Sequence, residues 1–417
     1  MSFSAGPITS YRRFWLPELA VLAVLSCVTL ILFAVTDLDI AAARWFYHPQ
    51  LPDPWPVASE PLWYLFYRSA PWITGSLAVA GTAALIRGLR KRDARRFRIH
   101  GLFLLLCVAI GPGLIINGIL KDHWGRARPR QIVEFGGRQE YTQPLVPFAA
   151  HGKSFPCGHC SVGYLYASGW WLWRRKHPKI AALSLGTGLA LGTLLGLGRM
   201  AAGGHFLSDS IWSGLIALGV AHALYYYVLR IPAREDSVST LYPLIERDRR
   251  YRIAAIAGAS ILGVGILIGG IVASPHHLDL HYQTRLSGYP AKPELIEITA
   301  DRLDVELILV PGERDQVESS GSLHGFGPPF NELHMFWEFV ELPVPKLRCR
   351  IVERGWFPDL DGLARFKLPG EGMKKIMVRI KEGDIIVDKG SPTGRASGAQ
   401  PELILQTSDG NVQDLER

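Results

Sequence analysis

Three short polar stretches interrupt apolar sequence in the first half of the chain, and their residue types suit chemistry on a phosphoryl group. They read KDHWGRARP at 121–129, PCGH at 156–159 and GRMAAGGHFLSD at 198–209. Together they supply three permanent cations, two imidazoles and a carboxylate: Lys121, Arg128, Arg199, His159, His205 and Asp209. Cations can balance the charge on phosphoryl oxygens in a transition state, and histidine can serve as a nucleophile or an acid.

His205 and Asp209 are four residues apart at the start of an expected helix. This spacing places both side chains on one helix face, about one turn apart. A carboxylate there can accept from one imidazole nitrogen, fix the tautomer and leave the other nitrogen as a nucleophile or base. Taken alone, the pair is at least as typical of a helix-start carboxylate and a histidine at headgroup level. The nearby cations, among them Arg199, favour the catalytic interpretation.

Seven apolar runs approach the ~20 residues that a helix needs to cross a bilayer. We expect spans at 14–35, 70–88, 101–120, 157–173, 178–197, 206–229 and 253–273. The first run is too long for a signal peptide and lacks a small-residue cleavage site, so we expect it to be retained. The predicted fold is an all-α polytopic membrane protein of six core helices and a seventh transmembrane helix. Gly265 and Gly269 have a spacing that favours docking of the seventh helix on the core.

The basic residues cluster in alternate loops, and the net charge is +8. The clusters lie at 87–98, 174–179 and 230–252, and Arg12 and Arg13 precede the first span. Alternate loops share one side of a membrane, and the positive-inside rule identifies that side as cytoplasmic. The basic residues are therefore topogenic, and no nucleic-acid partner is expected. The same parity places the three polar stretches, and everything after the seventh span, on the outer side.

The chain changes character after the last span. We divide it into a transmembrane domain at 1–230, a cytoplasmic basic linker at 231–252, a seventh transmembrane helix at 253–273, an appended β-rich soluble domain at 275–390 and a polar, disordered tail at 391–417. The β-rich domain has many charges, Gly/Pro turns and strand-like stretches such as LDVELILV. The sequence does not indicate its binding partner.

A histidine-rich stretch, HHLDLH at 276–281, follows the last span. His277, Asp279 and His281 alternate, so a strand would place them on one face, where they could bind a metal. A solvated strand next to the membrane is the more ordinary interpretation. We therefore predict no metal site and no cofactor.

The stretch SFPCGHC at 154–160 also contains a dithiol of the kind found in thiol-disulfide exchange enzymes. Such a dithiol normally opens a helix in a thioredoxin-like βαβ unit, and no such pattern surrounds Cys157 and Cys160. A membrane oxidase would need a second pair, whereas Cys27, Cys107 and Cys349 are far apart. Thiol-disulfide exchange remains an alternative function, and a disulfide between the two cysteines remains open.

The polar stretches together resemble the three-part signature of the type 2 phosphatidic acid phosphatase family of membrane lipid phosphatases. The matched residues are Lys121, six residues, then Arg128 and Pro129; PCGH at 156–159; and Arg199, five residues, His205, three residues and Asp209. Three ordered motifs on one predicted face make the resemblance specific. It covers about residues 10–230, and neither the seventh span nor the β-rich domain.

The resemblance implies a role for each matched residue. His205 would attack phosphorus and form a phosphohistidine, Asp209 would orient it, and His159 would protonate the departing lipid alkoxide and then activate water. The residues implied to bind the phosphate are Lys121, Arg128, Arg199, Cys157 and Gly158. The resemblance implies no metal.

Two positions depart from the family pattern. The family usually has serine at the position of Cys157 and often at that of Gly198, and a thiol is a weaker hydrogen-bond donor than a hydroxyl. Three further cations, Arg126, Arg130 and Lys153, either recruit an anionic headgroup or are solvated.

The predicted function is metal-independent hydrolysis of a lipid phosphomonoester or diphosphate at the outer, periplasmic face of an inner (plasma) membrane. Its predicted partners are the lipid phosphate substrate and the bilayer. A haloperoxidase-like vanadate enzyme is an alternative, because a related superfamily holds vanadate in a similar constellation. A non-catalytic receptor or scaffold is a third interpretation, against which the intact motifs argue.

Overall fold

The computed structural model describes residues 8–51, 54–91, 96–148, 152–236, 249–272, 274–311, 315–357, 359–389 and 400–415. The chain divides into two units, one containing Met1–Pro49 and Trp55–Ile271 and the other Gln50–Pro54 and Val272–Arg417. The first unit is mainly helical and the second mainly β-strand.

Within the described ranges, six helices are long and apolar enough to cross a membrane. They are Phe14–Val35, Pro61–Arg90, Arg96–Leu120, Pro178–Ala201, Leu207–Val228 and Ile253–Val272. A helix suits this environment because it satisfies its backbone hydrogen bonds internally, where lipid offers no partners. The protein is therefore a multi-pass membrane protein with a β-rich C-terminal region.

The described α-helices are α1 (Ile8–Val35), α2 (Leu38–Arg44), α3 (Pro61–Arg90), α4 (Arg96–Val108), α5 (Lys121–His123), α6 (Gly158–Tyr164), α7 (Gly169–Trp173), α8 (Pro178–Ala201), α9 (Leu207–Ala223), α10 (Ile231–Asp236) and α11 (Arg249–Val272). π-helical segments follow α4 at Ala109–Leu120 and α9 at Leu224–Val228. Short 3-10 turns lie at Pro56–Ser59, Pro129–Gln131, Val133–Phe135, Leu165–Ser168 and Leu286–Gly288. Within the expected basic linker, residues 237–248 lie outside the described part of the chain.

The expected span at 157–173 is not one continuous α-helix. Its residues form α6, a 3-10 turn and α7, of 7, 4 and 5 residues. The backbone of this stretch packs closely against the backbone of α8. A Cβ added to Gly163 would lie 2.7 Å from the backbone nitrogen of Gly192. Small residues therefore let this segment pack closely against a neighbouring helix. The six membrane-length helices correspond to the other six expected spans.

Helix α11 packs against α3, but not through the two glycines singled out in its sequence. A Cβ added to Gly263 would lie 2.0 Å from the Oγ1 atom of Thr82. A Cβ on Gly265 or Gly269 would have no atom of a described residue within 4 Å. The close contact therefore uses a different face of α11 from the one that the glycine spacing predicted.

The described strands of the second unit are β1 (Ser274–Asp279), β2 (Tyr282–Arg285), β3 (Leu295–Arg302), β4 (Asp304–Val310), β5 (Gln316–Gly327), β6 (Glu332–Val340), β7 (Lys346–Arg354), β8 (Asp359–Pro369), β9 (Lys375–Glu382), β10 (Ile385–Asp388), β11 (Glu402–Asp409) and β12 (Val412–Leu415). One sheet has the order β1-β5-β8-β4-β10-β12, with β2 also paired to β5, and the other has the order β11-β9-β3-β7-β6. Buried side chains alternate along β3 and β4, and both sheets contribute to one apolar cluster. The β-rich region is therefore a two-layer sandwich.

The prediction of a disordered tail at 391–417 is wrong for its last part. Both β11 and β12 lie there, with β11 parallel to β9 and β12 parallel to β10. Leu403 and Leu405 pack against the buried core. Each of the two is a sheet-edge strand with many exposed polar residues, which made the segment appear unstructured from its composition. Residues 391–399 lie outside the described part of the chain.

His277 takes part in a hydrogen-bond chain of the β-rich unit. Its Nε2 atom lies 2.7 Å from Oδ1 of Asp279, and its Nδ1 atom lies 2.9 Å from Nδ1 of His324. His281 follows the end of β1 and is not part of that strand. Among the residues with described positions, no group of three or more His, Cys, Asp or Glu side chains could hold a metal ion.

Candidate active site

Backbone hydrogen bonds bring the three polar stretches together. Three of them join one stretch, or a residue next to it, to another: Ser154 N–H to the Arg126 carbonyl at 2.9 Å, Arg130 N–H to the Gly203 carbonyl at 3.1 Å, and Cys157 N–H to the Asp209 carbonyl at 3.3 Å. Residues that are far apart along the chain therefore form one site. It lies at the C-terminal ends of α5 and α8 and the N-terminal ends of α6 and α9.

His205 is buried and is held through one ring nitrogen. Its Nδ1 atom lies 2.5 Å from the carbonyl oxygen of Ser154. A carbonyl only accepts, so Nδ1 carries the proton and Nε2 keeps its lone pair. The Oδ2 atom of Asp209 is 3.7 Å from the same Nδ1, beyond a hydrogen bond. The expectation that Asp209 itself accepts from the imidazole is therefore corrected, because the Ser154 carbonyl takes that place.

Asp209 acts on His205 through Ser154. Its Oδ2 atom accepts from the Ser154 hydroxyl at 2.6 Å and from the Phe206 N–H at 2.8 Å. The second of these bonds closes the first turn of α9, where a carboxylate also interacts favourably with the helix dipole. Asp209 thus fixes the residue whose carbonyl orients the imidazole.

Arg126 is a buried partner of Asp209 rather than a recruiter of headgroups. It has no exposed surface, and its Nη1 atom lies 2.5 Å from Oδ1 of Asp209. Its Nη2 atom lies 2.8 Å from Oδ2 of Asp39, and its guanidinium covers the ring of Phe206 at 4.4 Å. The expectation that Arg126 is solvated or binds a headgroup is therefore wrong. Sequence reasoning missed Asp39 entirely, because nothing near α2 marks it.

Two of the predicted phosphate-binding cations lie near both histidines. Lys121 and Arg199 each act electrostatically on His159 and on His205. Arg199 is 2% exposed in the last turn of α8, and a Cβ on Gly204 would lie 2.7 Å from its Nη2 atom. The absence of a side chain at Gly204 therefore leaves room for the guanidinium one residue before His205.

Arg128 is held beside the His205 loop by its own turn. Its N–H donates to the side chain of Gln131 at 2.8 Å, which caps the Pro129–Gln131 turn. The following Arg130 N–H binds the Gly203 carbonyl. Arg128 is also buried. The backbone bond between Arg130 and Gly203 thereby joins the end of the first stretch to the loop before His205, next to Arg128.

The surroundings of His205 keep its imidazole neutral. Burial is the main cause and, with the nearby Arg199 and Lys121, it lowers the pKa of His205 to about 4, while Asp209 opposes the change. Near neutral pH the imidazole therefore has the unprotonated nitrogen that a nucleophile needs.

Cys157 and Cys160 form a disulfide across the first turn of α6. Both residues are fully buried, and the Cys157 N–H is already donated to Asp209. Cys157 is therefore a structural residue of the loop, which corrects its expected role as a phosphate contact. Thiol-disulfide exchange requires a thiolate to reach one of the sulfurs, and their burial disfavours that alternative.

Gly158 faces a side chain that sequence reasoning did not identify. A Cβ at this position would lie 2.5 Å from Oδ1 of Asn117. Asn117 lies in the π-helical segment after α4 and donates to the Pro112 carbonyl at 2.7 Å. A π-helical segment redirects side chains and is common near functional sites. Glycine at 158 thus lets the second stretch approach the end of the third membrane helix.

Trp55 supports the loop that precedes His205. Its ring lies 2.6 Å from where a Cβ on Gly203 would be, and Gly203 has a φ of +60°, a value that glycine adopts readily. Trp55 also packs with Tyr47 and Phe135. Aromatic residues that precede α3 therefore pack against the third polar stretch and support it.

Comparison with known proteins identifies a related segment. Residues 101–232 match the model of the PAP2 superfamily. A lipid A 4'-phosphatase of Francisella tularensis subsp. novicida is 38% identical over 137 residues, which cover 31% of this chain and 60% of that protein. A lipid A 4'-phosphatase of Rhizobium etli is 34% identical over 138 residues, which cover 31% of this chain and 49% of that protein. The chain thus spans about half to three fifths of these relatives.

A solved structure was also matched. It is a PAP2-type phosphatidylglycerolphosphate phosphatase from Bacillus subtilis, 22% identical, with a TM-score of 0.32. The match covers 52% of this chain and 98% of that one.

Proposed function

Since residues 101–232 belong to the PAP2 superfamily, we propose that this chain is a membrane lipid phosphatase that works through a phosphohistidine. The observation that carries the proposal is the His205 imidazole. Its Nδ1 proton is held by the Ser154 carbonyl and its environment keeps it neutral, while two cations lie close enough to act on it. This arrangement suits nucleophilic attack on an anionic phosphoryl group.

In the first step, the Nε2 lone pair of His205 attacks phosphorus. A P–N bond forms and the P–O bond to the lipid breaks, while His159, protonated once the anionic phosphoryl group is bound beside it, gives that proton to the departing oxygen. The Ser154 carbonyl stabilises the positive charge that develops on the imidazole, because Nδ1–H donates to it. Lys121, Arg128 and Arg199 bind the nonbridging oxygens, and each well-placed donor contributes on the order of 10²–10³ in rate.

In the second step, His159 accepts a proton from water, whose oxygen attacks the phosphohistidine. The P–N bond breaks and inorganic phosphate leaves. The chemistry proposed for these residues uses no metal ion. The main role of the protein is to hold nucleophile, acid and cations in place, which is the usual basis of phosphoryl transfer.

We place this site on the outer, periplasmic side of the membrane. The basic clusters at 87–98 and 174–179 support a cytoplasmic location for the loops that contain them. These loops lie opposite the site if the three short helical segments between 158 and 173 together cross the membrane. A reporter fused after residue 285 should then behave as periplasmic, and one inserted between 234 and 248 as cytoplasmic. The reverse pattern would show that the orientation is wrong without affecting the chemistry.

The substrate is proposed to be a lipid phosphate whose chains stay in the bilayer. The site lies where membrane-length helices end, so a phosphoryl group at headgroup depth can reach His205. The similarity to lipid A 4'-phosphatases favours the phosphates of lipid A. Phosphatidic acid, phosphatidylglycerol phosphate and undecaprenyl diphosphate are the other candidates.

Phosphate release by the purified full-length chain tests this proposal. It should occur with at least one lipid of that panel, persist in EDTA, decrease with vanadate and disappear in His205→Ala. Short soluble phosphate esters turned over as efficiently as every lipid would contradict the lipid assignment. Loss of activity in EDTA would contradict the metal-independent mechanism.

A further inference from the structure

Asp39 is remote from the three polar stretches in sequence but joined to them in space. It lies in the first turn of α2 and has no exposed surface. Its Oδ2 atom is 2.8 Å from Nη2 of Arg126, 87 residues along the chain, and its Oδ1 atom accepts from the N–H of Ser208 at 2.8 Å. Tyr141 also donates to Oδ2, at 3.2 Å. Asp39 is thus fixed by several donors.

A chain of buried polar contacts leads from Asp39 to the imidazole. Arg126 contacts Asp39 through Nη2 and Asp209 through Nη1. Asp209 accepts from the hydroxyl of Ser154, whose carbonyl accepts from His205. All five residues are buried, with at most 2% of any of them exposed. Such contacts are stronger and more directional away from water.

The geometry of Arg126 gives Asp39 a specific task. A guanidinium prefers to bind a carboxylate with two parallel N–H donors. If Nη2 were not engaged by Asp39, both ends of the fork could turn to Asp209 and compete for Oδ2. That oxygen is the one that holds Ser154 and the Phe206 N–H. Asp39 therefore restricts Arg126 to the Oδ1 atom of Asp209, and Oδ2 of Asp209 stays available to Ser154 and the Phe206 N–H.

We propose that Asp39 is a positioning residue for His205, acting through Arg126, Asp209 and Ser154. The inference rests on the proposed role of His205 as the nucleophile. It extends the catalytic unit to α2, which lies outside the segment that matches the PAP2 superfamily. A buried ion triad is by itself weak evidence for stability, so the proposal concerns geometry at the imidazole.

Asp39→Asn keeps the shape of the side chain and removes the charge that engages Arg126. We expect kcat to fall on the order of tenfold to a hundredfold, since small displacements of reacting groups have effects of this size. KM for the lipid substrate should change little, because Asp39 does not touch the phosphate. Arg126→Gln should lower kcat at least as much, and the double variant no further than Arg126→Gln alone.

The matched control is Glu18→Gln. Glu18 also joins α1 to the helical core through a partly buried ion pair, with Arg174, and it accepts from Trp170 and Trp171 at 2.9 and 3.0 Å. We expect this variant to lose thermal stability but keep the wild-type kcat. If Asp39→Asn also keeps the wild-type kcat, or if the double variant loses the product of the two single effects, Asp39 is only structural. Should Asp39→Asn not fold, Ser208→Ala removes one donor to Asp39 and should give a smaller loss in kcat.

A measurement that does not depend on catalytic activity separates this inference from the proposed function. The ¹⁵N signals of His205, identified by their loss in His205→Gln, report its tautomer and titration. Asp39→Asn makes the triad less negative, so the His205 midpoint should fall and the share of the Nδ1–H tautomer should change. An unchanged His205 signal overturns the inference. Wild-type protein that is inactive on all lipids, but whose His205 signal responds to Asp39→Asn, would contradict only the proposed function.

Discussion

The Nδ1 atom of His205 lies 2.5 Å from the carbonyl oxygen of Ser154 and 3.7 Å from the carboxylate of Asp209. The imidazole is therefore oriented by a main-chain acceptor, and the Asp209 carboxylate acts on it indirectly, through Ser154. A carbonyl cannot ionise, so this orientation is independent of the protonation of a partner. The carboxylate still matters because it fixes the Ser154 hydroxyl.

Ser154→Ala should lower activity less than Asp209→Asn. The first change removes one donor to Asp209 but keeps the carbonyl that binds His205, so we expect a fall in kcat on the order of tenfold or less. The second weakens contacts with Arg126 and Ser154 together and should cost more. kcat is measured at saturating lipid. Ser184→Ala is the control, because its hydroxyl binds the Tyr166 carbonyl within the helical core. Equal activity of wild type and Asp209→Asn would contradict the prediction.

The pKa of His205, lowered to about 4 by burial and by Arg199 and Lys121, predicts how stability depends on pH. In the unfolded chain the ordinary pKa is about 6.5. Between these values the unfolded state binds a proton at this site and the folded state does not, so the site reduces stability as pH falls through that window. The melting temperature of His205→Gln should therefore fall less than that of the wild type when the pH is lowered from about 7 to about 5. Identical losses in the two proteins would argue against the lowered pKa.

Gly158→Ala should impair the enzyme through a clash with Asn117. The new Cβ would meet Oδ1 of Asn117 at 2.5 Å, a distance that requires the loop to move. Activity should fall strongly in Gly158→Ala and recover in part when Asn117→Ala is added, because the smaller side chain makes room. Gly186→Ala is the control, since its Cβ would meet no atom within 4 Å in the part of the chain that the structure describes. Absence of any recovery would show that Gly158 is needed for another reason.

Cys157→Ser combined with Cys160→Ala should retain phosphatase activity under reducing and oxidising conditions. The disulfide is buried and the chemistry proposed for His205 does not involve it. We expect lower thermal stability, because the cross-link no longer restricts the unfolded chain. Phosphate release with and without a dithiol reductant measures the first expectation. A loss as large as that of His205→Ala would revive the redox alternative.

Much of this arrangement could be predicted from local pattern. Long apolar runs predicted the membrane helices because a bilayer imposes length and composition directly on the sequence. Charges, Gly/Pro turns and strand-like stretches such as LDVELILV predicted a β-rich region after the last span. The spacing of Arg199, His205 and Asp209 within one loop and one helix turn brought a cation, an imidazole and a carboxylate into one neighbourhood.

Other features depended on which surfaces meet. The polar composition of β11 and β12 concealed two edge strands, whose pairing is visible only with β9 and β10 in place. The face that α11 uses against α3 was equally hidden, since Gly263 and Gly265 look alike in sequence but only Gly263 meets Thr82. Composition reports what a segment can bury and not what it is buried against.

By itself the sequence determined the class of protein and the residue types of the site, because lipid solvation and motif spacing act within short segments. Only the tertiary structure decided how those residues are held. The Ser154 carbonyl replaced Asp209 at the imidazole, Arg126 turned inward, and Asp39 came into contact with it from 87 residues away. These partners are selected by distance and direction between buried polar groups, which depend on how α2, α6 and α9 pack and not on any local pattern.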